Sequence, residues 1–197
     1  MVRDALRPWV RQGRLLRDRL LHGFRRRRAL RDLRAAHPTS VVFLCNGNIC
    51  RSPYAERAFA RILPETFASS LRVGSMGLLW PGRPAPPVAQ ECAAEHGVDL
   101  TGHLSATLEQ RSAPGELLVV MTAAQRREVR HRSSGPRRVL MLGDLDLAPG
   151  EPRDILDPVD QPFAIFDACY TRIDRCVAEL ARALTVGTEE ARAARRR

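Results

Sequence analysis

The sequence predicts an α/β fold in which a four-stranded parallel sheet carries helices on both faces. Three observations predict it: short β-branched apolar runs, longer segments with apolar residues at helical spacing, and a regular alternation of the two along the chain. With 197 residues, 44% of them hydrophobic, the chain is long enough to bury such a sheet in one domain. A sheet of this kind places its ligand site at the carboxyl ends of the strands.

The first strand is predicted at residues 41–44, a β-branched and aromatic run that follows Pro38-Thr39-Ser40. A glycine-containing loop, residues 45–52, comes next. Pro53 then stands in the first turn of a helix that runs to about Leu63, where a missing amide proton costs nothing. Further strands are predicted at 71–75, 117–121 and 139–142, and further helices at 88–96, 123–130 and 163–184.

The net charge of +10 would fit a nucleic-acid-binding protein if it covered the whole chain. However, residues 1–40 contain 12 Arg and 3 Asp, residues 188–197 contain 4 Arg and 2 Glu, and residues 41–187 sum to −1. The basic segment also offers only Trp9 and Phe24 for base stacking. We therefore predict a nearly neutral domain at 39–187, a basic extension at 1–38 and a charged tail at 188–197, with no nucleic-acid partner.

The basic extension has an amphipathic pattern. On a helical wheel, six of its apolar residues fall within an arc of roughly 140°. They are Leu6, Trp9, Val10, Leu16, Leu20 and Phe24. Such a helix predicts peripheral contact with an anionic membrane, and a disordered arm is the alternative. Because the chain has neither a signal-peptide core nor an apolar run of roughly 20 residues, we expect a cytoplasmic protein, with membrane association at the inner face.

Residues 45–52 read Cys-Asn-Gly-Asn-Ile-Cys-Arg-Ser and contain the candidate nucleophile and the candidate anion-binding groups. Backbone amides of a tight loop, together with the positive end of the next helix, bind an oxyanion. Five residues between Cys45 and Arg51 let the thiol and the guanidinium face one tetrahedral anion. The same field favours the thiolate of Cys45, which is the form that attacks phosphorus. We expect Gly47 to supply a positive φ in the loop, and Asn48 is the next residue type that tolerates one.

With Gly-Asn-Ile-Cys-Arg-Ser-Pro behind a strand, this loop resembles that of the low-molecular-weight protein tyrosine phosphatases. The resemblance covers most of residues 41–184. Ser75-Met76-Gly77 is similar to the family's Ser-Ala-Gly turn, residues 97–103 are similar to its Gly-Ile-Asp...His segment, and Asp157-Pro158 matches its general-acid Asp-Pro. The resemblance implies a flavodoxin-like three-layer α/β/α fold and a phosphatase that hydrolyses phosphotyrosine, or another aryl phosphate, without metal or cofactor.

The resemblance also assigns roles. Cys45 would attack phosphorus and form a phosphocysteine, while Arg51 and the amides of residues 46–51 would hold the equatorial oxygens. Asp157 would act as general acid and then as general base, and Asp154 is the alternative candidate for this role. Ser52 would donate to the Cys45 sulfur. The implied phosphate-binding loop comprises Asn46, Gly47, Asn48, Ile49, Cys50 and Ser52, with Asn48, His103 and Ser75 holding the loop in shape.

The predicted substrate wall comprises Leu79, Trp80 and Val159. Many family members follow Asp-Pro with aromatic residues, whereas Val159 and Asp160 stand here, and Phe163 is the candidate replacement. Ile49 stands where the protein-arginine-phosphatase branch usually has Thr, which favours phosphotyrosine. Bacterial members often act on autophosphorylating tyrosine kinases of polysaccharide export, so such a kinase is the implied partner.

Two other functions stay open. A thioredoxin-coupled arsenate reductase shares this fold and loop but needs two relay cysteines near the third strand; residues 119–132 contain none, and Cys169 and Cys176 lie in the last helix. An inactive phosphatase fold that binds phosphorylated proteins is the other.

The remaining polar positions yield three smaller predictions. Cys50 is predicted to form a reversible disulfide with Cys45 that protects the nucleophile from oxidation. Cys92, Cys169 and Cys176 are predicted to be core residues. Thr122 replaces the family's Asp after Met121, which puts one structural hydrogen bond in doubt.

Overall fold

The computed structural model describes residues 7–108, 116–133 and 137–194 of the chain. Within them, four parallel strands form one sheet in the order β2-β1-β3-β4. The strands are β1 (Ser40–Cys45), β2 (Arg72–Gly77), β3 (Glu116–Val120) and β4 (Arg138–Met141). All four predicted strands are present, with bounds that differ by one or two residues. The predicted fold class is therefore confirmed.

Helices follow the strands as the alternation predicts. They are α1 (Arg7–Arg34), α2 (Arg51–Ile62), the short α3 (Glu65–Ala68), α4 (Pro87–Glu95), α5 (Ala123–Arg132) and α6 (Phe163–Ala194), and a 3-10 turn covers Leu142–Leu145. The end predicted for the last helix, Leu184, is wrong because α6 continues to Ala194. The residues beyond Leu184 include alanine and glutamate, which favour helix, and no proline stops it.

The core occupies both faces of the sheet, and β1 is buried along its whole length. Val41 and Phe43 belong to the larger cluster, which also contains side chains of α1, α2, α4 and α6. Val42 and Leu44 point to the other face and join Val129 of α5 in a smaller cluster. A parallel strand that is buried on both faces has to be apolar at every position, which is why residues 41–44 do not alternate with polar side chains.

The basic extension is helical from Arg7 to Arg34 and packs against α6 and the 3-10 turn. Ala29 and Leu33 are buried in the larger core cluster, and Arg26 forms an ion pair with Glu179 of α6. At Gly187 the two helices approach so closely that a Cβ would lie 2.6 Å from the carbonyl oxygen of Arg34. The second half of α1 is thus an integral part of the fold.

The predicted apolar stripe of this helix faces solvent. Leu16, Leu20 and Phe24 are 60%, 75% and 60% exposed, while Ala29 and Leu33 make the contact with the domain. Leu6 and the side chains of Trp9 and Val10 lie outside the described residues. The amphipathic pattern therefore marks an outer surface of the molecule.

Candidate active site

The phosphate-binding loop lies where the order of the strands reverses. β1 pairs with β2 on one side and with β3 on the other, which opens a crevice at the carboxyl end of β1. Cys45 is the last residue of β1, and α2 begins at Arg51. The side chain of the N-cap residue, Cys50, forms no capping hydrogen bond with the N-terminus of α2, and helix N-termini of this kind bind anions through their amides.

The sulfur of Cys45 is surrounded by hydrogen-bond donors. The amide of Asn48 donates to Sγ at 3.2 Å, and the hydroxyl of Ser52 lies 3.0 Å from it. Ser52 also accepts a hydrogen bond from Asn48 Nδ2 at 2.9 Å, which leaves its own proton for Cys45 Sγ or for the carbonyl of Met76 at 3.3 Å. These contacts hold the sulfur at the mouth of the loop, beside Asn48 and Ser52.

Asn48 supports the loop with its backbone and with its side chain. The positive φ expected at Gly47 is found at Asn48, with φ +53°, so the prediction for Gly47 is wrong. Asn48 Nδ2 donates to Ser52 and Ser75, both at 2.9 Å, and its Oδ1 accepts from the amide of Ala106 at 2.8 Å. Asparagine tolerates the left-handed region better than most side chains, and here its amide group also bonds two buried hydroxyls and the partly buried amide of Ala106.

Two further residues fix this arrangement from outside the loop. His103 lies with Nε2 2.7 Å from the carbonyl oxygen of Asn48. Gly77 lies opposite Cys45 in the paired strand, and a Cβ there would lie 2.8 Å from the carbonyl oxygen of Asn46. Close packing of backbone on backbone therefore explains the glycine in Ser75-Met76-Gly77.

Arg51 is the largest fully buried side chain near the loop. Its Nη1 donates to the carbonyl of Ile155 at 3.1 Å, and its Nη2 forms an ion pair with Asp157. Its Nε is buried and has no hydrogen-bond partner among the described residues. A buried, unpaired N–H on a guanidinium is suited to an oxyanion, which such a group binds with two parallel hydrogen bonds.

Asp157 and Asp154 occupy different environments. Asp157 is partly exposed and faces Arg51. Asp154 Oδ1 accepts a hydrogen bond from the amide of Ala123 at 2.9 Å, at the N-terminus of α5. The amide of Ile155 donates to the carbonyl of Met121, which ties the segment between the two carboxylates to the end of β3. Asp157 thus contacts Arg51 beside the loop, whereas Asp154 has a helix-capping position, and the acid role of Asp157 stays a prediction.

Sequence reasoning missed Gln125. This buried residue donates from Nε2 to Asn46 Oδ1 at 3.0 Å and accepts from the amides of Met121 and Thr122. With Thr122 it forms a capping box at the start of α5, so threonine supplies the helix cap at this position. The pattern Thr-Ala-Ala-Gln was visible in the sequence as a Ser/Thr-x-x-Glu/Gln signature.

The predicted substrate wall is exposed. Trp80 is 64% exposed, with the guanidinium of Arg83 5.8 Å from its ring centroid. Leu79 is exposed, and its amide donates to the carbonyl of Asn46 in the loop. Val159 is also exposed, and its amide lies 3.4 Å from Asp157 Oδ1. Phe163 packs against the larger core cluster instead.

All the other cysteines are free and buried. Burial, the nearby thiol of Cys45 and the charge of Asp157 raise the pKa of Cys50, so its thiol stays protonated. Burial also raises the pKa of Cys92 to about 11 and the pKa values of Cys169 and Cys176 to about 12. The predicted core position of these last three residues is confirmed. The disulfide between Cys50 and Cys45 stays a prediction.

A cysteine at the end of a central parallel strand, a following loop of amides, and a buried arginine define a phosphate-binding site with a nucleophile. The family model for low molecular weight phosphotyrosine protein phosphatases matches residues 40–190. The "Probable low molecular weight protein-tyrosine-phosphatase EpsP" of Ralstonia solanacearum is 34% identical over 143 residues, or 70% of this chain and 90% of that relative.

Solved structures give the same result. The tyrosine phosphatase amsI of Erwinia amylovora has a TM-score of 0.62 and 25% identity, covering 75% of this chain and 93% of that one. A YwlE arginine phosphatase has a TM-score of 0.61 and 27% identity, covering 74% of this chain and 95% of that one. The chain therefore belongs to the low molecular weight phosphotyrosine protein phosphatase family and is a cysteine-dependent phosphatase.

Proposed function

We propose that this enzyme hydrolyses phosphotyrosine in proteins through a phosphocysteine at Cys45. The observation that carries the proposal is the convergence of two hydrogen-bond donors on Cys45 Sγ within a loop that also presents a buried Arg51. Such an environment serves a nucleophile and an oxyanion together.

In the first step, the thiolate of Cys45 attacks phosphorus, and an S–P bond forms as the bond between phosphorus and the phenolic oxygen breaks. Arg51 and the amides of residues 46–51 hold the equatorial oxygens, whose charge is spread in the transition state. Asp157 gives its proton to the leaving oxygen. This transfer requires Asp157 to turn from Arg51 towards the substrate, while Arg51 exchanges the carboxylate for the phosphate.

In the second step, water attacks the phosphocysteine, Asp157 takes the proton of the water, and the S–P bond breaks. The products are inorganic phosphate and the Cys45 thiolate. Ser52 stabilises the departing sulfur through its hydroxyl, 3.0 Å from Sγ. Each step leaves Asp157 in the protonation state that the next one needs, so one carboxyl serves both.

Phosphotyrosine is favoured over phosphoarginine by two observations. Ile49 stands where the arginine-specific branch usually has Thr, and the named relatives at 32–34% identity are tyrosine phosphatases. The fold likeness to an arginine phosphatase makes phosphoarginine the second candidate. Matched peptides that differ only in phosphotyrosine or phosphoarginine decide between the two, and a larger kcat/KM for the phosphoarginine peptide would reverse the assignment.

The arsenate-reductase alternative finds no support in the positions of the spare cysteines. Cys169 and Cys176 are 5% and 0% exposed on α6, and their raised pKa values disfavour thiolate relay. Arsenate-dependent oxidation of thioredoxin by the purified protein would restore that alternative.

The chemistry is tested with p-nitrophenyl phosphate in the presence of EDTA. We expect hydrolysis that vanadate blocks and that Cys45→Ser abolishes. Cys92→Ser is the matched control, because it changes a buried thiol outside the loop. Hydrolysis that survives Cys45→Ser, or a phosphate-binding protein with no turnover, would refute the mechanism.

We also propose that α1 holds the enzyme against an anionic membrane surface. Leu16, Leu20 and Phe24 are exposed on α1, and Arg17 and Arg27 are exposed beside them. Apolar side chains among arginines complement anionic lipid, where each basic group near the surface contributes about 1 kcal/mol. Among the described residues, no helix is long and apolar enough to cross a bilayer.

Vesicle co-sedimentation tests this contact in the full chain. We expect binding to vesicles with anionic lipid, little binding to neutral vesicles, and loss of binding when Leu16, Leu20 and Phe24 are all changed to Gln. Because these side chains are mostly exposed, the triple variant should keep the fold, which circular dichroism checks. Equal vesicle binding by the triple variant would contradict the proposal. The proposal would also be contradicted if light scattering showed that the wild type is a dimer and the triple variant a monomer, because these side chains would then bind a second copy of the chain.

A further inference from the structure

A large cavity among the described residues lies outside the active site, beside the edge strand β4. It has a volume of about 710 Å³ and lies between the second half of α1 and the exposed side of α5. Neither the Cys45 loop nor Asp157 contributes to its walls. The volume falls in the range of pockets that hold small organic ligands.

The walls of the cavity are strongly basic. Six arginines and only two aspartates line it. The arginines are Arg25, Arg28, Arg126, Arg130, Arg138 and Arg153, and the aspartates are Asp32 and Asp144. The domain as a whole is almost neutral, so this is a local concentration of positive charge.

Some of this charge is neutralised inside the protein. Arg153 forms two hydrogen bonds of 2.6 Å with Asp144, and Arg25 forms an ion pair of 2.8 Å with Asp18. These pairs make that part of the wall rigid. Arg28 lies 3.7 Å from Asp32, and Arg138 donates to the carbonyl of Ala36, which leaves Arg126 and Arg130 to be accounted for.

Arg126 and Arg130 lie one turn apart on α5, and their guanidinium groups form no ion pair or hydrogen bond with any described residue. Burial lowers the pKa of Arg126, and the nearby charges of Arg153 and Arg130 lower it further, although the charge of Asp144 acts in the opposite direction. Like charges that crowd together at a half-buried site cost stability unless an anion lies between them. An arginine cluster facing a cavity is the arrangement that proteins use for phosphate groups.

The cavity also has an apolar side. Phe24 and Ala29 of α1 line it, as do Leu117 and Leu140 of the sheet. A free inorganic anion would leave this surface unused. A ligand with both a phosphate cluster and a ring would contact both sides.

We propose that this cavity binds a small organic polyphosphate, of the nucleoside triphosphate type, with its phosphates on Arg126 and Arg130 and its ring against the apolar side. The site is built jointly by the extension and the domain, since Phe24, Arg25, Arg28 and Ala29 all come from α1. The proposal is independent of the phosphatase mechanism.

Calorimetric titration of the full chain with ATP tests it, with tripolyphosphate and adenosine as separate probes. We expect ATP to bind more tightly than either probe. The double variant Arg126→Gln/Arg130→Gln should bind ATP at least about tenfold more weakly, because two charge-assisted contacts are lost. The control Arg72→Gln/Arg127→Gln removes the same charge from exposed positions outside the cavity and should bind within about twofold of wild type.

Thermal unfolding gives a second measurement. ATP should raise the Tm of wild type and of the control but not of Arg126→Gln/Arg130→Gln, whose Tm without ATP should equal or exceed that of wild type. If Arg126→Gln/Arg130→Gln binds ATP as tightly as wild type, ATP binds at another site, such as the active-site loop, and the proposal is overturned. Absence of ATP binding would also overturn it, and equal affinity for tripolyphosphate would overturn the part that concerns the ring.

Discussion

Arg51 and Asp157 lie 106 residues apart in the sequence and form an ion pair beside the phosphate-binding loop. Arg51 opens helix α2, and Asp157 lies in the segment that precedes α6. The two groups proposed to hold the phosphate and to protonate the leaving oxygen therefore bind each other. In the proposed mechanism, substrate phosphate competes with Asp157 for the same guanidinium, so phosphate binding would be coupled to the release of the acid.

Replacing Asp157 should affect substrates according to their leaving groups. Asp157→Asn keeps a hydrogen-bond acceptor for Arg51 but has no proton to transfer. We expect kcat to fall by roughly 10² or more for phenyl phosphate, whose leaving group needs protonation, and by less for p-nitrophenyl phosphate.

The control for this prediction is Asp154→Asn, since Asp154 caps α5 through the amide of Ala123. It should lower stability without changing the dependence on the leaving group. The measurement is a plot of log kcat against the pKa of the leaving phenol. Parallel lines for wild type and Asp157→Asn would exclude Asp157 as the acid.

Two substitutions of Asn48 separate its backbone role from its side-chain role. Both Asn48→Gly and Asn48→Ala remove the hydrogen bonds to Ser52, Ser75 and Ala106, and both should lower kcat/KM. A φ of +53° is unfavourable for alanine, because of its Cβ, but not for glycine. Asn48→Ala should therefore be less stable than Asn48→Gly by about 1 kcal/mol. Urea unfolding measures the difference. Equal stabilities would mean that the loop relaxes to another conformation.

Gly187→Ala should separate α1 from α6. A Cβ at this position would lie 2.6 Å from the Arg34 carbonyl oxygen and 2.7 Å from the Arg34 Cα, and backbone atoms cannot yield as a flexible side chain does. We expect a lower Tm and faster amide hydrogen exchange over residues 26–34. Gly23→Ala is the matched control, because its Cβ would meet only Arg27 Nη1 at 3.9 Å; it should stabilise the helix by up to about 1 kcal/mol. Unchanged exchange in Gly187→Ala would contradict this packing.

Asp146 should make stability depend on pH in the acid range. Burial alone would raise its pKa, but hydrogen bonds from Arg172, the Ala148 amide and Arg175 outweigh burial and hold the pKa below its ordinary value. A carboxyl whose pKa is lower in the folded protein contributes stability above its unfolded pKa of about 3.9 and loses it as the pH falls through the folded value.

Asp146→Asn keeps the shape but removes the charge. At pH 7 we expect a loss of about 3 kcal/mol, because Arg172 is left buried without its carboxylate. The difference from wild type should shrink below pH 4. Urea unfolding at several pH values measures it, and a difference that stays constant down to pH 2 would show that the ionisation of Asp146 contributes nothing.

The parts of the fold that the sequence predicts are those where local pattern and burial agree. Residues 41–44 are apolar on both faces because β1 lies at the centre of the sheet, so the strand is visible without its neighbours. Cys45 and Arg51 likewise stand at the two ends of one short loop, so their proximity could be predicted from their spacing in the sequence. Asp157 could be assigned only by resemblance, because nothing local distinguishes it from Asp154; the contacts that separate them come from Arg51 and Ala123.

Other features depend on partners that are distant in the chain. Leu16, Leu20 and Phe24 are exposed on α1, but a helical wheel could not show that Ala29 and Leu33 contact the domain while Leu20 faces solvent. Gly47 is the residue that tolerates a positive φ best, but the loop places that φ at Asn48, where the side chain also reaches Ser75. The hydrogen bonds of the Asn48 side chain to Ser52, Ser75 and Ala106 explain why the positive φ falls at Asn48 and not at Gly47.

The close contact between α1 and α6 also bears on how this enzyme can be shortened. A protein that began at Pro38, where the family resemblance starts, would uncover the apolar surface of α6 that Ala29 and Leu33 now cover, and would leave Glu179 without Arg26. Such a truncated enzyme should be prone to aggregate for reasons unrelated to membranes or catalysis. If the truncated enzyme loses activity or vesicle binding, the loss of folding is therefore the first explanation. The role of Leu16, Leu20 and Phe24 has to be tested by point substitutions in the full chain.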